Sequence, residues 1–292
     1  MRCLALLLTL ATPLAAQTPL HQQIADIAKD AKGTVYVACS LPCSALDCGL
    51  NEHGHPAMQS TFKFPLAIAV LQQVEAGKLT LDQQVRFLPS DRYPGSYSPL
   101  QDAHPEANVD VTLRDLLRYS AELSDNVATD ILLRIVGGPG TVQRSLDQLG
   151  LREMHVRDSE GAMHDNHALQ YRNYAEPVEM VALLRRLSDR SPLNAEHTAL
   201  LMQWLTETPT GPKRMKALLP AGTIVAHKTG TAFTENGLTA ATNDVGLITL
   251  PDGRKLALAI FVSDARADET TRESVIARIA KAIYDNAMAK AH

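Results

Sequence analysis

The sequence has no basic block. Its 292 residues carry a formal net charge of −4, which argues against nucleic acid as a partner. Internal repeats and low-complexity tracts are also missing, and hydrophobic residues (45%) are spread along the chain, so neither disorder nor a collagen-like array fits. Aromatic residues make up only 4%, yet the length suffices for one large core or two joined ones. No stretch approaches the roughly twenty apolar residues that span a bilayer. The apolar run Leu4 to Leu10 is too short for that. It follows Arg2 and precedes Pro13-Leu14-Ala15-Ala16, the three-part pattern of an export signal. Cleavage after Ala16 is expected, giving a periplasmic protein with no stable membrane insertion.

Cysteine is scarce as well. Cys3 leaves with the signal, and Cys39, Cys43 and Cys48 remain, an odd number in an oxidising compartment. Cys39 and Cys48 could face each other across a hairpin; Cys43 and Cys48 could staple the loop alone. His53 and His55 follow closely, but the paired C-x-x-C of a zinc knuckle is absent. One disulfide and one leftover thiol are expected, with no metal site and no cofactor.

In chain order, Leu20, Ile24, Ile27 and Ala28 keep helical spacing, with Gly33 as the stop signal. Thr34 to Cys39 reads as a buried strand, with a second short strand near Cys48 to Asn51. A helix begins at Ser60 and stops at Gly77. Thr112 and Asp115 mark a capped helix, Val127 to Val136 continues it after a break, and further helices are expected near Thr141 to Leu149, Glu176 to Leu187 and Ala195 to Thr206. Between the first two of those three lies a polar, weakly patterned loop, Arg157 to Asn173, of a length that is usually functional. The period then changes to strands over Gly222 to Lys228, Asp244 to Leu250 and Lys255 to Val262, the last two joined by the turn Pro251-Asp252-Gly253. An amphipathic helix, Thr271 to Ala287, closes the chain. Strands at both ends and helices in the middle imply an α/β (α+β) fold: one antiparallel sheet, residues 17–60 and 213–292, with a helical domain, 61–212, inserted and a cleft between.

Three short motifs carry chemistry. Ser60 and Lys63 are three apart, so they share one side of a helical or 3₁₀ turn. A lysine held against Phe62, Phe64 and Leu66 loses hydration, which lowers its pKa toward that of a usable base for the hydroxyl. Pro65 costs one helical hydrogen bond and favours a 3₁₀ first turn. Ser124-Asp125-Asn126 lies in a break between helices, where alone it could be an N-cap. Lys228-Thr229-Gly230 ends a strand, where alone it could be an ordinary turn. In this order the three are the signature of class A β-lactamases and penicillin-binding proteins.

With these motifs, and with Leu218-Leu219-Pro220-Ala221-Gly222-Thr223 and Ala240-Ala241-Thr242-Asn243-Asp244 around them, the whole mature chain resembles the class A serine β-lactamases, in particular the PER/VEB-like extended-spectrum branch. The resemblance implies the β-lactamase/transpeptidase-like fold, a five-stranded sheet flanked by helices, and a monomer acting on β-lactam antibiotics, penicillins and cephalosporins. It implies that Ser60 attacks the lactam carbonyl with help from Lys63, that Ser124 passes a proton to the leaving nitrogen, and that Asn126 binds the substrate's amide side chain. The oxyanion hole would be the backbone N–H groups of Ser60 and Thr231; Lys228, Thr229 and Thr231 would receive the substrate carboxylate. Glu160 would activate the deacylating water. Around it the loop departs from the commoner pattern. His164 stands where an Asn helps hold that water, and Asp158 and Asn173 replace a loop-closing Arg and its Asp, so that ion pair cannot form. Arg214 matches a position that meets the carboxylate in some relatives, and Tyr97 an aromatic at the cleft mouth. The connection Ala232 to Thr242 looks long, which with the loop suggests room for oxyimino-cephalosporins. Two other readings share the trio: a D,D-peptidase, and a non-catalytic β-lactam sensor.

Overall fold

The computed structural model describes residues 18–290; the expected cleavage site and Cys3 lie outside the described residues. A sheet of five antiparallel strands forms the centre, as expected. The strands run in the order Thr34–Ser40, Lys255–Ala265, Leu238–Thr249 and Val225–Thr231, with the short Thr234–Glu235 pairing against Leu238–Thr239. Every interior residue of Leu238–Thr249 is buried, because helices cover both faces. Side-chain alternation splits the Lys255–Ala265 strand between two cores. Leu258, Ile260 and Val262 pack with Ile24, Ile276, Ile279 and Ile283 of the terminal helices Leu20–Ala28 and Glu269–Ala289. Ala257, Ala259 and Phe261 face the larger core, which includes Leu66, Leu116, Ile131 and Leu184 of the helices between residues 63 and 207. No helix among the described residues is long and apolar enough to cross a membrane.

Two local expectations are corrected. The residue that turns left-handed after the first helix is Lys32 (φ 49°), not Gly33. Gly33 serves close approach instead, since a Cβ there would sit 2.6 Å from the Cα of Ala265. The second strand near Cys48 reduces to one bridge, Val37 to Leu50; Asn51, at φ 48°, turns the chain away and donates its side-chain amide to Val35 O at 2.8 Å. The Arg157 to Asn173 loop contains a short helix, Glu160–Asp165, and a 3₁₀ stretch, His167–Arg172. The long connection Ala232 to Thr242 continues the sheet as a hairpin whose tip, Asn236 and Gly237, is left-handed at both positions, the geometry that matches strand twist. Of the open disulfide pairings, Cys39–Cys48 forms, leaving Cys43 exposed and free.

Candidate active site

Ser60 lies in a 3₁₀ turn, Gln59–Phe62, that runs into the helix Lys63–Glu75, with Pro65 in that helix's first turn. The turn is pinned from the sheet. Asn243 donates to Ala57 O and Met58 O at 2.8 and 3.0 Å. Gly230 comes so near that a Cβ there would lie 2.5 Å from Met58 O and 3.2 Å from the Ser60 nitrogen. Only glycine lets the strand approach the turn this closely.

Lys63 is fully buried. Its Nζ donates to Asn126 Oδ1 at 2.5 Å and Ser124 O at 2.7 Å, and lies 3.0 Å from Glu160 Oε1. Ser60 Oγ donates to the same carboxylate oxygen at 3.4 Å. Hydroxyl and ammonium therefore converge on one acceptor. Ser124 takes a left-handed backbone (φ 61°) between the helices Leu113–Ala121 and Asn126–Val136. The N-cap role belongs to Asp125, which accepts from Ala128 N at 2.8 Å and Leu100 N at 2.6 Å. Burial pushes its carboxyl above the ordinary Asp range, against the pull of those hydrogen bonds. Because Asp125 caps, its two neighbours are free to face the cleft.

Glu160 opens its short helix, capped by Ser159, and is 6% exposed. As expected, residues 158 and 173 form no ion pair; neutral hydrogen bonds join them instead. The Asn173 amide oxygen accepts from Arg157 N and Asp158 N at 2.8 and 3.0 Å, while its nitrogen donates to Asp158 O at 2.9 Å. Arg172 Nε lies 3.2 Å from Asp158, so an ion pair does form, with a residue outside the expected positions.

On the opposite wall, Lys228 Nζ donates to Ser124 Oγ at 2.7 Å. Burial, reinforced by the charge of Lys63, holds its ammonium well below the ordinary lysine range. Ala232 N–H bonds to Ala241 O, and in an antiparallel ladder bonded pairs alternate with unbonded ones. Thr231, paired with Thr242, therefore turns its N–H away from the neighbouring strand, toward the cleft. Arg214 is buried and largely committed. Its Nε bonds to Glu273 at 3.1 Å, Nη1 to Gly230 O and Asn243 O, and Nη2 to Thr231 Oγ1 at 2.9 Å. That leaves no free fork for a bidentate carboxylate contact; the guanidinium orients the Thr231 hydroxyl instead. Thr229 Oγ1 donates to Thr210 Oγ1 at 2.9 Å.

A profile described as the β-lactamase enzyme family matches residues 19–287. The chain belongs to this family. It is 40% identical over 270 residues to the extended-spectrum β-lactamase PER-1 of Pseudomonas aeruginosa, spanning 92% of this chain and 88% of that one. Identity to β-lactamase VEB-1 of the same organism is 36%, over 81% and 79%. The crystal structure of a β-lactamase from Chitinophaga pinensis superposes with a TM-score of 0.87 at 41% identity, covering 92% of this chain and all of the other. The protein is thus a class A serine β-lactamase, a hydrolase near the PER/VEB branch.

The cleft of this β-lactamase holds about 320 Å³ and brings together Ser60, Ser124, Asn126, Glu160, Thr229, Thr231, Arg214, Tyr97 and His164. Tyr97 is more than half exposed at the mouth, and its carbonyl accepts from Asn126 N at 3.1 Å. His164 packs its ring on Tyr93, centroids 5.3 Å apart. Sequence reasoning missed several members of the site. Asp130 accepts the N–H groups of Glu160 and Gly161. Gln59 is left-handed (φ 45°) and donates to Gln170 at 2.5 Å. His167, Phe233 and Glu235 line the far end. No local signal marks Asp130, because Asn126 and Arg134, four residues either side of it on the helix, are polar as well.

Proposed function

We propose that Ser60 is acylated by the β-lactam and that Glu160 then drives its hydrolysis. Ser60 Oγ attacks the lactam carbonyl, and its proton passes to Glu160 directly or through one water, within the reach general-base transfer needs. Lys63 stabilises the carboxylate that receives it. The N–H groups of Ser60 and Thr231 hold the oxyanion of the tetrahedral intermediate. Ser124, hydrogen-bonded to Lys228, protonates the leaving nitrogen as the C–N bond breaks. The proton that Glu160 took from Ser60 passes through Lys63, which contacts both Glu160 and Ser124, back to Ser124, so that Glu160 is a carboxylate again before the second half. In the second half, Glu160 takes a proton from water, the hydroxide adds to the ester, and Ser60 Oγ leaves with a proton returned. Lys228, Thr229 and Thr231 receive the substrate carboxylate, with Arg214 acting through Thr231. Asn126 binds the acylamino side chain, and Tyr97 and His164 border it.

The observation that carries this reading is the convergence of Ser60 Oγ and Lys63 Nζ on Glu160 Oε1. Glu160→Ala, mixed with a cephalosporin and examined by intact-protein mass spectrometry, should accumulate a covalent adduct on Ser60. Normal turnover by that variant would overturn the role of Glu160. Sustained turnover by the wild type, rather than one stoichiometric release, sets the hydrolase apart from the peptidase and sensor readings.

The substrates proposed include oxyimino-cephalosporins, a reading supported by the hairpin and loop that frame the far end of the cleft and by the 40% identity to the extended-spectrum β-lactamase PER-1. The Arg2, Leu4 to Leu10 and Ala16 pattern supports export to the periplasm. The sheet residues 17–60 and 213–292 and the helical residues 61–212 are proposed as two domains with the substrate cleft between them.

A further inference from the structure

A second cluster of reactive side chains sits outside the cleft, at the neck of the loop that carries Glu160. The two limbs of that neck, Met154–His155 and Tyr174–Ala175, pair antiparallel, and Ala57 bridges to Tyr174 on the other side. The pairing brings Glu153, Glu176 and His55 together. Glu176 N–H donates to Glu153 O at 2.9 Å, and Glu179 fixes the backbone of Glu153 by accepting its N–H at 2.7 Å. His55 Nε2 lies 3.6 Å from Glu153 Oε2 and 3.8 Å from Glu176 Oε1; the three ligand atoms all fall within 4.8 Å of one another. The other oxygen of Glu176 is 3.0 Å from His53 Nδ1. The His55 ring rests on Tyr174, centroids 4.5 Å apart, which limits its rotation.

Two carboxylates meeting at one imidazole invite a cation between them. Around an ion with metal–ligand bonds near 2.0–2.1 Å, the ligands of a tetrahedron stand about 3.3 Å apart, so small side-chain rotations would close the set. Mixed imidazole and carboxylate donors suit zinc and its first-row neighbours better than magnesium or calcium. The Cys–His grouping weighed from the sequence is replaced by this one, because Cys39 and Cys48 are tied up in a disulfide.

We propose that His55, Glu153 and Glu176, with His53 holding the second oxygen of Glu176, bind a divalent first-row transition-metal ion that staples the neck of the 157–173 loop. His55 and Glu153 are about half exposed (side chains 50% and 48%), so the ion enters from solvent. The proposal is independent of the residue roles assigned in the cleft.

The test uses the exported, tag-free enzyme titrated with zinc chloride by calorimetry, and with cobalt chloride by visible absorption. One equivalent should bind, with cobalt d–d bands and no thiolate charge-transfer band. His55→Ala and Glu153→Gln should each weaken binding about tenfold or more, while Cys43→Ser leaves it intact and all three hydrolyse a chromogenic cephalosporin normally. Zinc should raise the melting temperature of the wild type but not of His55→Ala, and slow amide exchange at residues 153–156 and 173–176. Equal zinc uptake by wild type and His55→Ala, or uptake lost in Cys43→Ser, would overturn the site. Uptake without slower exchange at the neck would overturn the staple.

Discussion

Asp130 grips the backbone of Glu160: its two carboxylate oxygens accept the N–H groups of Glu160 and Gly161 at 2.8 and 2.7 Å. The grip runs from the helix Asn126–Val136, whose first residue also meets Lys63, so one helix sets both the lysine and the acid that faces it. In Asp130→Asn one oxygen becomes an amide donor and opposes an N–H. A displacement of the general base by an ångström costs on the order of 100-fold in rate. Deacylation should therefore slow by roughly 10- to 100-fold while acylation changes less, so a burst appears in stopped-flow traces. An unchanged steady-state rate would mean that the grip is structural decoration.

The same carboxyl makes a pH prediction. Burial, foremost, pushes Asp130 up from 3.8 to about 6. The folded state then holds this proton to higher pH than the unfolded chain does, so between those values unfolding releases a proton and stability falls as pH rises. The contribution is fully present below pH 3.8 and is lost through about pH 6; at 1.36 kcal/mol per unit it amounts to roughly 3 kcal/mol. Asp130→Asn lacks it. The denaturant-unfolding free energy of the wild type, minus that of the variant, should be larger at pH 4 than at pH 7. A constant difference would show that the carboxyl titrates normally.

Lys228 makes a prediction for the alkaline side. Burial and the charge of Lys63 hold its ammonium well below the usual lysine range, so it loses its charge at a lower pH than an exposed lysine would. Substrates bearing a carboxylate should then lose kcat/KM on the alkaline limb, with kcat less affected. Lys228→Arg keeps its charge throughout, so its profile should stay flat on that side at a lower plateau. If both proteins show the same alkaline limb, another group sets it.

How much of this was legible in the sequence follows from the range of the interactions involved. Ser60, Lys63, Ser124 and Lys228 were legible because local spacing and order encode them, and the 3₁₀ entry into the helix followed from Pro65. The fold was legible because strand and helix periods separate along the chain. Asp130 was hidden, since nothing local distinguishes an acid on a helix surface from one whose carboxylate meets two amides thirty residues away. That residues 158 and 173 form no ion pair was legible; what closes the loop instead was hidden for the same reason. Neutral Asn173 hydrogen bonds do the work of an ion pair, and Asp158 finds a partner in Arg172, fourteen residues on. Arg214 was found by position, but its commitment to Glu273 depends on the last helix, far along the chain.

That pair separates stability from binding. Arg214→Ala strands the buried Glu273 carboxylate, which should cost about 3 to 5 kcal/mol, and it also removes the donor that orients the Thr231 hydroxyl. Adding Glu273→Gln removes the stranded charge. The double variant should recover most of the stability in chemical denaturation yet keep the raised KM of Arg214→Ala. Recovery of both together would place Arg214 outside substrate binding.

The far end of the cleft should discriminate by substrate size. The hairpin Thr231 to Leu238 is tied to the Glu160 loop through Glu235, which contacts His167, and through Phe233, whose ring stacks on the same imidazole at 6.3 Å. Tyr171 adds a hydrogen bond to Asp264 at 2.6 Å. Phe233 is nonetheless 69% exposed, a large apolar surface at the mouth. In the proposed reading a bulky oxyimino side chain covers this ring and a small penicillin side chain does not. Covering that much of an aromatic ring is worth on the order of 1 to 2 kcal/mol, or about tenfold in affinity. Phe233→Ala should therefore raise KM about tenfold for a bulky oxyimino-cephalosporin and leave a small penicillin nearly unchanged. Parallel losses for both substrates would mean that Phe233 holds the hairpin in place rather than meeting the substrate, and Glu235→Gln, which loosens the tie to His167 without touching the ring, would then reproduce them.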